Sequence, residues 1–418
     1  MSKSKRKTIR VGVVGVGRGG SFAKGAGAQV GMELVALCDT WEERLRPLGK
    51  ELKVSTYTDY DKFLEHDMDA VILANYFHQH APFGIKALAA GKHVMSETAA
   101  CFTLAEGAAL VEAVEKSGRT YMFAENYAYI VYVQEMRRLF RQGLIGKFQY
   151  GEGEYVHPMS PEASNRISPG VDHWRNWMPA TYYCTHALSP IMFVTDTMPV
   201  KVNGFVMTRD PDDIRVKQTV KRNDAASCII CRMDNGAVAK LLQVGLRGHG
   251  IWYRFHGSKG LMENQRSGVT GMLRVRREPF DKDPGEPVEK IYLPEYPEHG
   301  ELAAKSGHGG GDFFMNYHFA NAIRTGKPPY LDVYRGVAMS VVGIQAYRSA
   351  LNDSNTFEIP DFRKKSVRDQ YRNDDWNPDP SRSKPGYPAP SIRGVVTPSK
   401  AALAHARRDW KQVGYNGK

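Results

Sequence analysis

The chain has 418 residues, 42% of them apolar and 11% aromatic, which is enough core for two ordinary domains and too much for one. No run of 18 apolar residues occurs, so no membrane-spanning helix is expected. The net charge of +12 is spread along the chain without a helix-turn-helix or finger pattern, which points to anionic ligands or plain solubility and away from nucleic acid.

The first ten residues, "MSKSKRKTIR", are basic but lack the apolar stretch of a secretory signal. Residues 1–7 read as a solvated leader, and the expected location is the cytoplasm. The run "IRVGVVGVGRGGSFAKGA" then passes from a strand into Gly15-x-Gly17-x-x-Gly20 and opens a helical stretch. A second strand, "MELVALCDT", ends in Asp39, nineteen positions after Gly20. That is close to the spacing at which a carboxylate reaches the ribose hydroxyls of a dinucleotide. Gly15 would permit the tight turn, Gly17 the approach of pyrophosphate, and Gly20 close helix–strand packing. Asp39 would repel a 2′-phosphate, so NAD is favoured over NADP, with Arg44 near enough to moderate the preference.

The alternation continues through a strand at 69–75, a helix at 80–91, a strand at 92–97, a helix at 103–118 and a strand at 119–126. Strands separated by helices of this length predict a doubly wound parallel sheet, an NAD-binding Rossmann domain over residues 8–127. In "GEGEYVHP", period-two geometry puts Tyr155 and His157 on one face of a strand. In "YYCTHALSP", Tyr183 and His186 are three apart, one face of a helix, with a core histidine as the alternative reading of His186. Trp174 and Trp177 in "DHWRNWMP" suit either a sugar-stacking wall or a loop anchor. Cys228-x-x-Cys231 has no second cysteine pair and reads as strand packing. In "GHGGGD", residues 307–312, the glycines would let the loop pass close to a sugar, with Asp312 as the N-cap of the helix "FFMNYHFANAIRTG". From Phe362 to residue 418 the chain reads as an extended, Pro-rich tail, with Trp376, Tyr387 and Trp410 as adhesive points on its own domain or on a neighbouring subunit.

The order of the glycine pattern, Asp39 and "DAVILANYFHQHAPFGIKALAAGKHVMSE" resembles the Gfo/Idh/MocA family of NAD(P)-dependent sugar oxidoreductases. The resemblance implies a second domain, residues 128–361, built on a large, mostly antiparallel open sheet. Strand-like runs such as "FQYGEGEYVH", "PVKVNGFVM" and "AASCIICRM" agree with it. It places Arg18, Asn75, His80, Glu97 and Asn126 beside the cofactor, with His80 fixing the loop after "LANYF". Ordinary dehydrogenases of that family carry Glu-Lys-Pro after "GKHV", whereas this chain reads Ser96-Glu97-Thr98-Ala99 and lacks the lysine.

A narrower resemblance accounts for the gap. Glu125 in "FAEN", Tyr155-x-His157, Tyr183-x-x-His186 and "GHGGGD" occur in the order seen in glycoside hydrolase family 109, the NAD-dependent α-N-acetylgalactosaminidase type. That resemblance implies a glycosidase with tightly bound, recycled NAD, acting by transient C3 oxidation, C2 deprotonation, loss of the C1 substituent, water addition and re-reduction. Tyr155 and His186 are then the main acid/base candidates, and His157, Tyr183 and Glu125 orient them or relay protons. Glu125 serves equally well as a strand-end cap. Trp174, Arg175, Trp177, His308 and Asp312 fall to the substrate. A metal held by Glu125, His157 and His186 is less economical than a metal-free proton site. The alternatives are a sugar 3-dehydrogenase with net NAD(P)H production and a non-catalytic NAD-binding sensor. A homodimer or tetramer is expected.

Overall fold

Short runs of valine, isoleucine and leucine in the first third of the chain suit strands buried on both faces. The computed structural model, which describes residues 8–416, forms six parallel strands from them. These are β1 (Ile9–Val14), β2 (Met32–Cys38), β3 (Ser55–Tyr57), β4 (Ala70–Leu73), β5 (His93–Ser96) and β6 (Tyr121–Phe123). Their order is β3-β2-β1-β4-β5-β6. The strand order reverses between β1 and β4, and the carboxyl ends there are where such sheets bind ligands. β4 is buried at all four positions, as a central parallel strand should be. Helices His80–Ala89 and Leu104–Ser117 make two of the crossovers. The second starts where Thr103 Oγ1 accepts from the Glu106 N–H at 3.1 Å and Glu106 accepts from the Phe102 N–H at 2.9 Å, a capping pair. The basic leader at 1–7 lies outside the described residues.

The second sheet has nine strands among the described residues. They are β7 (Phe148–Val156), β8 (Pro199–Met207), β9 (Ala226–Met233), β10 (Val238–Val244), β11 (Gly250–Gly257), β12 (Gly260–Asn264), β13 (Leu273–Arg277), β14 (Glu289–Tyr292) and β15 (Phe357–Glu358). Their order is β14-β13-β12-β11-β7-β10-β9-β8-β15, antiparallel throughout except for β7 beside β10. Helix Thr185–Thr195 is buried at every position. Its Ala187 carbonyl comes so close to β7 that a Cβ at Gly153 would collide with it. Tyr155 shares that face with Gly153, two residues on, so the helix start and Tyr155 are brought together by the absence of one side chain.

Two compact units divide the chain, one from residues 8–135, 294–338 and 362–373, the other from 136–293, 339–361 and 374–416. The sequence reading divided the chain into consecutive pieces; the units are interleaved instead. The tail from Phe362, read as extended, contains helices Lys365–Tyr371 and Lys400–Gln412. Ser399 caps the latter, and Ala402, Ala406 and Trp410, spaced four apart, are its buried stripe, with Ala406 and Trp410 packing on Val220. The prolines of residues 378–398 dominate the composition of the tail and mask this short amphipathic stretch. No helix among the described residues is long and apolar enough to cross a membrane.

Candidate functional site

In the first unit the chain turns sharply after β1 at Gly15, whose φ of +88° and contact with the Ala74 carbonyl leave no room for a side chain. A Cβ at Gly17 would meet no atom within 4 Å, so the loop presents an open cradle of backbone. Gly20 is equally open. The glycine that packs against the sheet is Gly19, facing Val13 and Ala74, which corrects the role expected of Gly20. The helical stretch that follows is irregular: an α-turn at Gly19–Ser21, a π-turn at Phe22–Ala26 and a 3₁₀ turn at Ala28–Val30. Glycines at 25 and 27 sustain a regular helix poorly.

Asp39, at the end of β2, accepts the N–H of Val16 and of Trp41, each at 2.7 Å, and so fastens the glycine loop to the second strand. Each carboxylate oxygen keeps a further acceptor site for a ribose hydroxyl. Arg44 lies over the Trp41 ring, 4.0 Å from its centre. The ring nitrogens of buried His80 lie 2.9 Å from the Ala99 carbonyl and 3.2 Å from the Asn75 carbonyl, and the N–H donated to one of them fixes the loop after β4. Burial lowers its pKa below the ordinary histidine value. The buried side-chain oxygens of Asn75 and Asn126 have no partner. Such orphaned acceptors are rare in proteins, and a ligand that donates to them fits the site. An open glycine cradle, a carboxylate with spare lone pairs and two unpaired amide oxygens together fit a dinucleotide.

The "GHGGGD" loop belongs to the same unit. Arg18, inside the glycine pattern, donates to both oxygens of Asp312 at 2.8 and 3.1 Å and to Glu97 at 2.8 Å. Asp312 also takes Asn126 at 3.2 Å and His308 Nδ1 at 3.0 Å. Burial by itself would raise the Asp312 pKa, but the bonds from His308 and Arg18 hold it well below the usual carboxylate range. Asp312 is therefore not the N-cap expected of it: Gly310 occupies that position and Asp312 sits in the first turn of helix Gly311–Thr325. Gly310, at φ +93°, lies against the Tyr296 ring, where a Cβ would collide. Glu125 is fully buried and caps the 3₁₀ turn Asn126–Tyr129, its carboxylate accepting the Tyr127 N–H at 3.2 Å. Capping, one of its two expected duties, is what its geometry displays.

In the second unit the two Tyr/His pairs form one cluster. The Tyr155 ring lies 5.7 Å from His157, 5.8 Å from Tyr183 and 4.7 Å from His186, centre to centre. Tyr183 meets His186 edge-on at 5.0 Å. The buried Tyr253 hydroxyl donates to the His186 carbonyl at 2.8 Å and steadies the helix start. Burial first, and then the neighbouring His249, lower the His157 pKa below the ordinary value, so it is neutral at neutral pH and able to accept a proton. Trp177 is buried with its indole N–H on the Asp172 carbonyl at 3.1 Å, so it anchors its loop and forms no sugar wall. Trp174 is also buried and carries the Arg175 guanidinium on its ring at 4.2 Å. Arg175 reaches 6.0 Å from the Tyr183 ring.

Sequence reasoning missed His249 and Val244. β11 runs antiparallel to β7 with Gly250 opposite Val156, so His249 falls directly across from His157, and the rings lie 5.1 Å apart. Val244 accepts the His157 N–H at 2.9 Å with its own φ at +78°, a left-handed value that a β-branched residue rarely adopts. Strain of this kind gathers at functional sites. Cys228 and Cys231 are free thiols on β9, and no group of three or more His, Cys, Asp or Glu side chains that could hold a metal ion occurs among the described residues.

Comparison with known proteins fits both units. Residues 9–125 match the oxidoreductase family model with an NAD-binding Rossmann fold, and residues 129–369 match the C-terminal domain of glycosyl hydrolase 109. An alpha-N-acetylgalactosaminidase of Shewanella oneidensis is 26% identical over 397 residues, covering 86% of each chain. A glycosyl hydrolase family 109 protein of Solibacter usitatus is 27% identical over 394 residues, covering 85% of this chain and 88% of that one. Among solved structures, levoglucosan dehydrogenase in complex with NADH shares the fold at a TM-score of 0.72 and 19% identity, over 85% of this chain and all of that one. An inositol dehydrogenase homolog with NAD⁺ from Azotobacter vinelandii gives 0.69 and 20%, over 86% of this chain and all of that one. With an NAD-binding Rossmann unit at its start and the hydrolase model spanning more than half its length, the chain belongs to glycosyl hydrolase family 109, the NAD-dependent glycoside hydrolases.

Proposed function

We propose that this enzyme hydrolyses a glycoside with no net oxidation. The sugar is oxidised transiently at C3, loses its C2 proton together with the C1 substituent, takes up water and is reduced again. One observation carries this reading: Tyr155 touches His157, Tyr183 and His186 at once, in a chain with no lysine at Ser96-Glu97-Thr98-Ala99. The name of the Shewanella oneidensis relative supports a glycoside as substrate.

Bound at the glycine loop, NAD supplies a hydride acceptor that can also return the hydride, and it is retained and recycled. Moving protons falls to the side chains. The C3 hydroxyl proton passes to Tyr155, which gives up its own hydroxyl proton to a histidine against it. With C3 a ketone, the C2 proton is acidic because its carbanion is an enolate, and His186 takes it. The departing C1 oxygen receives a proton from the same cluster. His157 and Tyr183 orient these groups or relay protons. Groups with pKa values near the working pH do this work best.

Cleavage in heavy water should place deuterium at C2 of the released sugar, with NAD⁺ required and no NADH accumulating. Stoichiometric NADH with C2 still protonated would establish a 3-keto-forming dehydrogenase in its place.

A further inference from the structure

Beside the Tyr/His cluster, the second unit gathers three cations that no carboxylate meets in a direct ion pair. Arg175 rests on Trp174 and faces Tyr183. Beneath it, the Lys221 ammonium donates to the Arg175 carbonyl at 2.8 Å. An ammonium has three donors, and this one spends a single bond on a neutral oxygen. Arg209 is held by neutral partners as well, the carbonyl of Asn223 at 2.7 Å, its side-chain oxygen at 3.0 Å and the Asp224 carbonyl at 3.3 Å. No carboxylate lies within ion-pair distance of Arg175, Arg209 or Lys221 among the described residues.

The nearest acids, Asp213 and Asp224, act on Arg209 through their charge but spend their bonds on other groups. Asp213 pairs with Arg215 at 2.6 Å and with Arg247 at 3.1 Å. Asp224 accepts from Ser391 at 2.7 Å and from the Ile392 N–H at 2.9 Å. Asp172 is taken by Arg222 at 3.1 Å. Burial and the two neighbouring guanidinium charges push the Lys221 ammonium well below its ordinary value, and burial with Arg215 pushes Arg209 down to about 10 against the opposing charges of Asp224 and Asp213. Like charges gathered without direct ion pairs are costly, and such costs concentrate where a ligand relieves them.

We propose that the glycoside this enzyme takes carries an anion, a carboxylate or a sulfate ester on the sugar, and that Arg175, with Lys221 and Arg209 behind it, selects for it. The inference rests on the glycosidase reading and narrows its substrate class. Arg175 offers a planar fork to either anion, and Lys221 and Arg209 add charge that a neutral sugar would leave uncompensated.

The test uses the full chain with its NAD and three matched aryl glycosides: a neutral sugar, its 6-sulfate, and the uronide with a C6 carboxylate. One of the anionic pair should exceed the neutral parent in kcat/KM by about ten- to hundredfold, the range for a charge-assisted bond. Its advantage should shrink as salt rises, and inorganic sulfate should compete with it. Lys221→Met should lower the ratio of anionic to neutral kcat/KM, and Arg209→Gln provides the same reading if Lys221→Met does not fold. Whether the sulfate or the uronide leads identifies the anion. Equal kcat/KM for all three, insensitive to salt, would overturn the proposal and leave the glycosidase reading standing. Should none be cleaved, calorimetric binding of the free uronate and sulfated sugar against the neutral one decides the point separately: tighter binding of an anion upholds it, equal binding ends it.

Discussion

The guanidinium of Arg18 grips the carboxylate of Asp312 through two hydrogen bonds, 2.8 and 3.1 Å long, across 294 positions of sequence. Arg18 lies within the glycine pattern and Asp312 in the first turn of Gly311–Thr325, so the pair ties the cofactor loop to the start of that helix. Asp312→Asn should cost about 2–3 kcal/mol in urea unfolding, below the full value of a buried pair because Arg18 is partly solvated. It should also speed loss of NAD, read as cofactor content after gel filtration. The Asp312 pKa is depressed in the folded chain, so its contribution is present above the ordinary carboxylate value and is lost as the pH falls through the folded one. The variant's stability should therefore fall less steeply than the wild type's on acidification below about pH 4. Matching acid profiles would show that the pair contributes nothing.

Asp39→Ala removes the acceptor for the Val16 and Trp41 N–H groups together with the carboxylate proposed for the ribose. NAD binding should weaken about ten- to hundredfold. Fluorescence titration with NADH measures this, and unchanged affinity would reject the assignment.

Tyr155→Phe preserves the ring contacts with His157, Tyr183 and His186 and removes only the hydroxyl. Turnover should fall by about 10²–10⁴, the range for a lost acid or base, while NADH binding and the melting temperature hold. If Tyr155→Phe and His186→Ala both retain full activity, the cluster is packing and nothing more.

His249 lowers the His157 pKa through its own charge, second only to burial. His249→Gln removes that charge, so the His157 pKa rises toward its ordinary value. A base that protonates at higher pH loses activity sooner on acidification, and the acid limb of kcat/KM should move to higher pH. A limb that stays in place would mean that His157 does not titrate in the free enzyme's rate-determining form.

Much of this was legible in the residues. Gly15, Asp39 and the alternating apolar runs disclose a Rossmann sheet because local periodicity and turn chemistry are written in adjacent positions. Tyr155, His157, Tyr183 and His186 could be nominated by strand and helix period, and their meeting by resemblance to a family. Their meeting also depends on Gly153, where the missing side chain admits the helix, and a two-residue glycine spacing does not announce that. His249 opposite His157 follows only from the register of β7 and β11, which no local pattern reveals. Trp177 suits a sugar platform and a loop anchor equally in sequence, because an aromatic carries no mark of which way it faces. The helix Lys400–Gln412 was readable from Ser399, Ala402, Ala406 and Trp410, but the prolines before it dominated the composition.

The two units are threaded through one another in sequence, since the first needs residues 294–338 and 362–373 to be whole and the second needs 339–361 and 374–416. A ribosome that has released only the first 135 residues has therefore produced the glycine loop without Asp312, the partner that ties it down. The Rossmann part of this chain is expected to mature only after residues 294–338 have followed, and a gene fragment cut at its last parallel strand should bind NAD less well than the full chain. Exchange between relatives by recombination should accordingly favour whole chains over halves.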